Sequence, residues 1–142
     1  MSKTELDNLV KIGQLKTEPA SKAEFAGMLQ SAQGRLADAK KKNLGSDSRF
    51  DLAYGAAHRL ALAALRHHGY RPAHRFTVFQ SLVHTLGTNP VDVRILDKAH
   101  NERNLAEYEG RTDIDEQLLA DLIRCAEALE AAVARLPPLP DD

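Results

Sequence analysis

From Ile114 to Leu136 the apolar side chains return every three or four positions: Ile114, Leu118, Leu122, Cys125, Leu129, Ala132 and Leu136. This spacing lays one stripe along a helix of about 3.6 residues per turn and does not fit the two-residue alternation of a strand. A helix with one apolar stripe has to bury it against partners, so the segment commits the chain to a packed helical fold. The remaining segments agree. Phe25, Leu29, Ala32, Leu36 and Ala39 form a second stripe, and Phe50, Tyr54, Ala57, Ala61 and Ala64 a third, widened by Ala53, Leu60 and Leu65. Phe76, Phe79, Leu82, Val83 and Leu86 form a fourth. Trp is absent and aromatic residues make up 5% of the chain, which is poor material for strands.

Local signals set the boundaries. A first helix is expected from about Thr4 to Lys16, with Leu6, Leu9 and Val10 inward, ended by Pro19. Ser21 to Glu24 has the spacing of a capping box and opens a second helix. That helix carries Gly27 and Gly34, which fit either a close helix contact or slack on an exposed face. It runs to Lys40-Lys41-Lys42 and stops at Asn43-Leu44-Gly45. Ser46 or Ser48 caps a third helix closed by Gly69, and Tyr70 to Ala73 reads as a connector. A fourth helix is expected over His74–Leu86, and a fifth from Pro90, at the first helical position, to Glu109 before Gly110. Arg111-Thr112-Asp113 leads into the last helix, with Asp113 to Glu116 as its capping box. Pro137 to Pro140 ends the pattern in a tail expected to fray. The expectation is an all-α, up-and-down bundle of four to six helices in one domain spanning residues 1–142, with its core over about 21–136 and a Pro-rich tail at 137–142.

Composition excludes several function classes. The formal net charge is −1, so the total charge does not mark the molecule as a polyanion binder, but the charge is uneven. Between Arg35 and Arg75 nine Lys and Arg face three acids, whereas between Asp97 and Asp142 five face twelve. Solvated helix faces account for this, and so do subunits that attract one another. Cys125 is the single cysteine, which leaves no disulfide framework and no cysteine-based zinc site. No apolar run approaches the ~18 residues of a membrane span, and the first residues lack the apolar core of a signal peptide. The expectation is a cytoplasmic protein without membrane contact or cofactor. No glycine-rich phosphate loop, serine-nucleophile motif or carboxylate metal pattern is present.

The fifth helix breaks the pattern. On a helical wheel Val91, Ile95, Leu96, Ala99 and Ala106 share the core arc, which also takes in Glu102. His100, Arg103, Asn104, Glu107 and Tyr108 share the adjoining face. A guanidinium at the edge of a core needs a charge partner or a polar cavity, and Glu107 stands one turn from Arg103. One reading is an ion-pair network that holds two helices in register. The other is an anion site: Arg103 presents a fork of donors to phosphate, Asn104 hydrogen-bonds it, and His100 or Tyr108 moves a proton. Glu107 and Tyr54 are candidates for contacting the substrate, Tyr54 by stacking on a base, although its place in the third stripe also suits core packing. His58 and His84 read as hydrogen-bonded packing residues, and His67, His68 and His74 as surface histidines near a helix end rather than metal ligands.

The run from Lys98 through His100, Arg103 and Asn104 to Tyr108, followed by a Glu-rich last helix, resembles the HEPN family of small helical domains. So does Ser48-Arg-Phe-Asp-Leu-Ala-Tyr54-Gly-Ala-Ala-His58 with the later Ala63-Ala-Leu-Arg-His-His-Gly69-Tyr70-Arg71. The resemblance covers roughly residues 45 to 135. It implies a bundle of four or five helices that forms a homodimer, with RNA or a nucleotide as ligand. Its members include metal-independent endoribonucleases, often toxins of toxin-antitoxin or defence systems, and partners of nucleotidyltransferases. Their catalytic motif is Arg, a polar residue, several further residues, then His. Arg103 and Asn104 match its first half. Tyr108 stands five residues after Arg103 and no His follows in the chain, so the proton-transfer role passes to Tyr108 or to His100. Two functions follow: an RNA-associated phosphate module, as a possible ribonuclease with a composite dimer site, or a non-catalytic interaction module that dimerises or docks an antitoxin or nucleotidyltransferase.

Overall fold

A computed structural model describes residues 2–75, 77–110 and 113–142. Phe76, expected on the inner face of the fourth helix, and Arg111 and Thr112, expected to lead into the last one, lie outside the described residues. The fold is all-α apart from one small ribbon. Four long helices form its body: α2 (Lys22–Ala39), α3 (Ser46–His67), α6 (Pro90–Glu109) and α7 (Glu116–Ala134). Three shorter ones, α1 (Ser2–Lys11), α4 (Thr77–Gln80) and α5 (Leu82–Thr85), and two strands, β1 (Leu15–Thr17) and β2 (Tyr70–Pro72), complete the described residues.

α3 is the central element and packs against α2, α4, α5, α6, α7 and β2. Its sequence explains this. Ala53, Ala56, Ala57, Ala61, Ala63 and Ala64 are all buried, and side chains that small let neighbouring helices approach on several sides at once. α2 contributes Ala32, Leu36 and Ala39 to the core. α7 contributes Leu118, Leu119, Leu122, Cys125, Ala126, Leu129 and Val133, and α6 adds Leu96 and Ala99. Between Ala53 and Arg66 only Gly55, His58, Arg59 and Leu62 escape full burial. Gly55 to His58 or Arg59, and these to Leu62, are three or four residues apart, so the four lie on one helical face and make a single accessible strip.

The stops at Gly69 and Gly110 hold, with φ of 90° and 67°, backbone that glycine adopts without a Cβ clash. Elsewhere side chains moved the boundaries. Gly45 rather than a serine caps α3, and Asp115 rather than Asp113 caps α7, accepting from the Gln117 and Leu118 amides. At α2 the box is half-made: Ser21 Oγ accepts from the Glu24 amide, but the Glu24 carboxylate turns to two arginines. A Cβ at Gly27 or Gly34 would meet nothing within 4 Å, so both glycines lie in open space. The fourth helix is interrupted at Ser81, whose hydroxyl donates to the Thr77 carbonyl and competes with the helical ladder. Val91, expected on the core arc, is 54% exposed, while Asp92 is buried and accepts from Arg124. The tail does not fray: the Asp142 carboxylate accepts from the Lys22 and Ala23 amides (2.7 and 3.0 Å) and the Ser21 hydroxyl, at the positive end of the α2 dipole.

The first helix also ends early. Gly13, at φ 81°, turns the chain so that Leu15–Thr17 pairs antiparallel with Tyr70–Pro72, the segment expected as a connector. The ribbon carries Leu15 and Tyr70 into a second core with Leu6 and Leu65, so the buried interior begins well before residue 21. Arg66, on the last turn of α3, holds this corner together while only 2% exposed. Its Nε donates to Glu24 at 2.6 Å, and its terminal nitrogens donate to the carbonyls of Glu18, Pro19 and Tyr70 at 2.7–3.1 Å. Burial pushes the Glu24 carboxyl up, but the hydrogen bonds from Arg71 and Arg66 outweigh it and hold the group below its usual range. Removing a buried cation leaves those acceptors dry and unpaired. Arg66→Ala is expected to cost about 3 kcal/mol in urea unfolding, whereas Arg71→Ala, at the wetter end of the network, costs less than about 1 kcal/mol.

Candidate functional site

The accessible strip of α3 is the floor of a polar cleft. Gly55, His58 and Arg59 line it together with Tyr54 and Asp51 of the same helix, Arg35 of α2, Arg103 of α6, and Arg75 from the turn after β2. The cleft encloses about 270 Å³. Four guanidinium groups therefore face one carboxylate. Among the described residues Arg35, Arg59 and Arg75 form no ion pair, and Arg103 has only Glu107, at 3.6 Å. The absence of a Cβ at Gly55 lets Arg59 fold back to donate to the Gly55 carbonyl at 3.2 Å, with the Arg35 stem 3.5 Å from where that Cβ would stand. Arg35 Nε is buried without a hydrogen-bond partner.

Aromatic and imidazole rings form the inner wall. Tyr54 is buried, and its hydroxyl meets His100 Nδ1 at 2.8 Å. The Asn104 amide reaches His100 Nε2 at 3.3 Å. With that amide donating, Nδ1 carries the proton and both imidazole nitrogens are engaged. The Arg103 guanidinium lies 5.1 Å from the centre of the Tyr54 ring, within cation–π range. His58 stacks beside Tyr54 with ring centres 6.1 Å apart and meets the edge of Phe79. Its Nε2 is buried with no partner, unlike the hydrogen-bonded packing histidine expected from sequence.

The electrostatics follow from this crowding. Burial, then the charges of Arg75, Arg59, His100 and Arg103, push the His58 imidazole down to about 4. Burial with Arg75 and Arg103 also lowers His100, against a smaller opposing effect of Asp97. Burial and the neighbouring Arg35 and Arg75 lower Arg59. Cations that depress one another this way are held at a cost that an anion would relieve.

Of the residues predicted from sequence, the structure brings together Tyr54, His100, Arg103 and Asn104. Tyr108 stands apart, and Glu107 reaches the site only through its pair with Arg103. Glu107 lines a separate cleft of about 350 Å³ on the other side of Arg103, with Asp47, Asp51 and Glu102, and that acidic lining repels phosphate. Tyr108 is 87% exposed and makes no hydrogen bond or ring contact with the site residues among the described residues. Sequence reading missed Arg35, Arg59, Arg75 and the site position of His58. The available signal was Arg59 in the midst of an Ala- and Leu-rich helix, one residue after His58. Three other histidines serve structure: His84 pairs with Glu5 at 2.6 Å, His67 bonds the Pro137 carbonyl, and His68 Nδ1 the Ala64 carbonyl; His74 lines a neighbouring cleft. No helix among the described residues is long and apolar enough to cross a membrane. Comparison of the chain with protein-family models, with curated proteins and with solved structures gives no match.

The depressed histidines make two outcomes measurable. As pH falls from about 6.5 toward 4, the unfolded chain takes up a proton at His58 that the folded chain refuses, so folding stability declines across that window. His100, lowered in the same direction, adds to the decline. Urea midpoints at stepped pH should show the fall, and His58→Gln should flatten part of it. Saturating inorganic phosphate should raise the His58 titration midpoint read by NMR, because a dianion offsets the surrounding arginines.

Proposed function

We propose that the chain is a phosphate-recognising, RNA-associated module of HEPN-like type. The observation that carries this reading is the convergence of Arg35, Arg59, Arg75 and Arg103 on one cleft with Asp51 as its single acidic lining residue. Guanidinium forks match phosphate geometry and are the side chains suited to backbone recognition. RNA rather than a lone anion is favoured by the ring of His58 beside the cations, whereas Tyr54 is buried and presents no face to a base. The resemblance in the segments around His58 and Arg103 supports the same class, and with it a homodimer and a setting among toxin-antitoxin or defence components.

The cleft also contains one part of metal-independent RNA cleavage, cations that stabilise a phosphorane. His58 lines the cleft but its Nε2 is shut off from solvent, both nitrogens of His100 are engaged, and Tyr108 is exposed, so the geometry supports recognition of phosphate more directly than cleavage. The alternative function, a non-catalytic interaction module for an antitoxin or nucleotidyltransferase partner, draws on exposed Leu105 and Tyr108, one turn apart at the end of α6.

Binding of a single-stranded RNA, followed by fluorescence anisotropy across a salt series, tests the reading. Arg59→Gln, Arg75→Gln and Arg103→Ala should each weaken binding roughly tenfold and reduce the salt slope by about 0.7. The same substitutions should leave the melting temperature unchanged or raise it, because they relieve like-charge repulsion. A marked loss of stability with undiminished RNA binding would reassign the cluster to structure. Incubation of structured RNA with the protein and a chelator, beside Arg103→Ala and His58→Gln, separates cleavage from recognition.

A further inference from the structure

A second cleft, of about 520 Å³, shares three of its walls with the arginine cleft: His58, Arg59 and Arg75 line both. Its remaining surface differs in chemistry. Met28 of α2, Leu62 of α3, Pro72 of β2, Ala73 and Val78 of α4 give it an apolar side, His74 adds an imidazole at its edge, and no carboxylate lines it. The accessible strip of α3 runs through both clefts, with Gly55 in the cationic one, His58 and Arg59 at the junction and Leu62 in the apolar one. A volume of this size lies within the ~300–1,000 Å³ of small-molecule clefts. A site that gripped only phosphate would gain nothing from an apolar annex. An annex joined to four cations suits a ligand that carries a flat, weakly polar group one sugar away from its phosphate.

We propose that the two clefts together take one unpaired nucleotide unit, its phosphate among Arg35, Arg59, Arg75 and Arg103 and its base against Met28, Leu62, Pro72 and Val78. This rests on the phosphate reading above and adds the ligand class: a nucleoside monophosphate, free or within a single strand. The imidazole of His58 stands at the junction, where the ribose bridges the two groups. A base inside a duplex is stacked on both faces and paired along its edge, so it cannot enter such a cleft without leaving the helix. The geometry therefore selects single strands.

The test compares a short single-stranded RNA with an abasic strand of the same length and charge, and with the corresponding duplex. The base-bearing single strand should bind roughly tenfold tighter than the abasic one, as expected when one base packs on a protein surface, and the duplex should bind no better than the abasic strand. Met28→Gln, at a half-buried position outside the main core, should erase the preference for bases and leave abasic binding unchanged. Leu62→Ala serves as a second variant with the same expected outcome. Arg59→Gln should weaken the base-bearing and abasic strands alike. AMP should displace the strand at a lower concentration than ribose 5-phosphate does. AMP binding as tight as the strand marks a free nucleotide as the ligand, and much weaker AMP binding marks RNA.

Equal binding of base-bearing and abasic strands, both sensitive to Arg59→Gln, overturns the base pocket while the phosphate site stands. Equal displacement by AMP and ribose 5-phosphate overturns it as well. Failure of every strand to bind removes the phosphate reading and this inference with it.

Discussion

The burial of α3 on almost every side is the constraint from which the other features follow. A helix surrounded by six elements cannot carry large side chains on all of them, and the alanines from Ala53 to Ala64 answer that requirement. They let α2 and α7 approach closely, which places the larger Leu and Phe side chains of the neighbours into the remaining space. What is left of α3 toward solvent is one strip, and the chain has put Gly55, His58, Arg59 and Leu62 there. The floor of the candidate site is thus the one part of the central helix that the core does not claim.

The corner built on Arg66 governs a second part of the site. By donating to the Glu18, Pro19 and Tyr70 carbonyls it fixes where the chain leaves α3 and where β2 begins. The ribbon with β1, the bond from the Ala73 amide to the Gln14 carbonyl, and the Thr77 hydroxyl on the Gln14 side chain carry that placement forward. Arg75 lies between those last two anchors. A buried arginine that satisfies backbone carbonyls therefore positions an exposed arginine that meets none, and the contrast separates the structural cation from the site cations.

The site is also where local rules are broken without internal compensation. Ion pairs tie down Lys3, Lys22, Lys40 and Lys41 on the surface, yet Arg35, Arg59 and Arg75 converge without one among the described residues. Outside the cleft, Thr85 Oγ1 is the one buried side-chain polar atom among the described residues without a hydrogen-bond partner. An unpaired Arg35 Nε and an unpaired His58 Nε2 at the same cleft are the places where sequence and structure stop agreeing on stability alone.

The sequence by itself determined the long helices and most of the core. The spacing of Leu118, Leu122, Cys125 and Leu129, the alanines of α3, and the glycines at 69 and 110 act within a few residues of one another, so local periodicity reports them. It also singled out His100, Arg103 and Asn104, because polar groups on a core margin are visible on one helix. Contacts between distant segments were decided only in three dimensions. The pairing of Leu15–Thr17 with Tyr70–Pro72, the capping of α2 by Asp142 and the early end of α1 depend on partners that no short window contains. The same holds for the cleft. Arg35, Arg59, Arg75 and Arg103 come from four separate places in the chain, and of these the sequence marked only Arg103 as a candidate. Only the packing of α2 and α6 on α3, with β2 leading into Arg75, turns four scattered cations into one field.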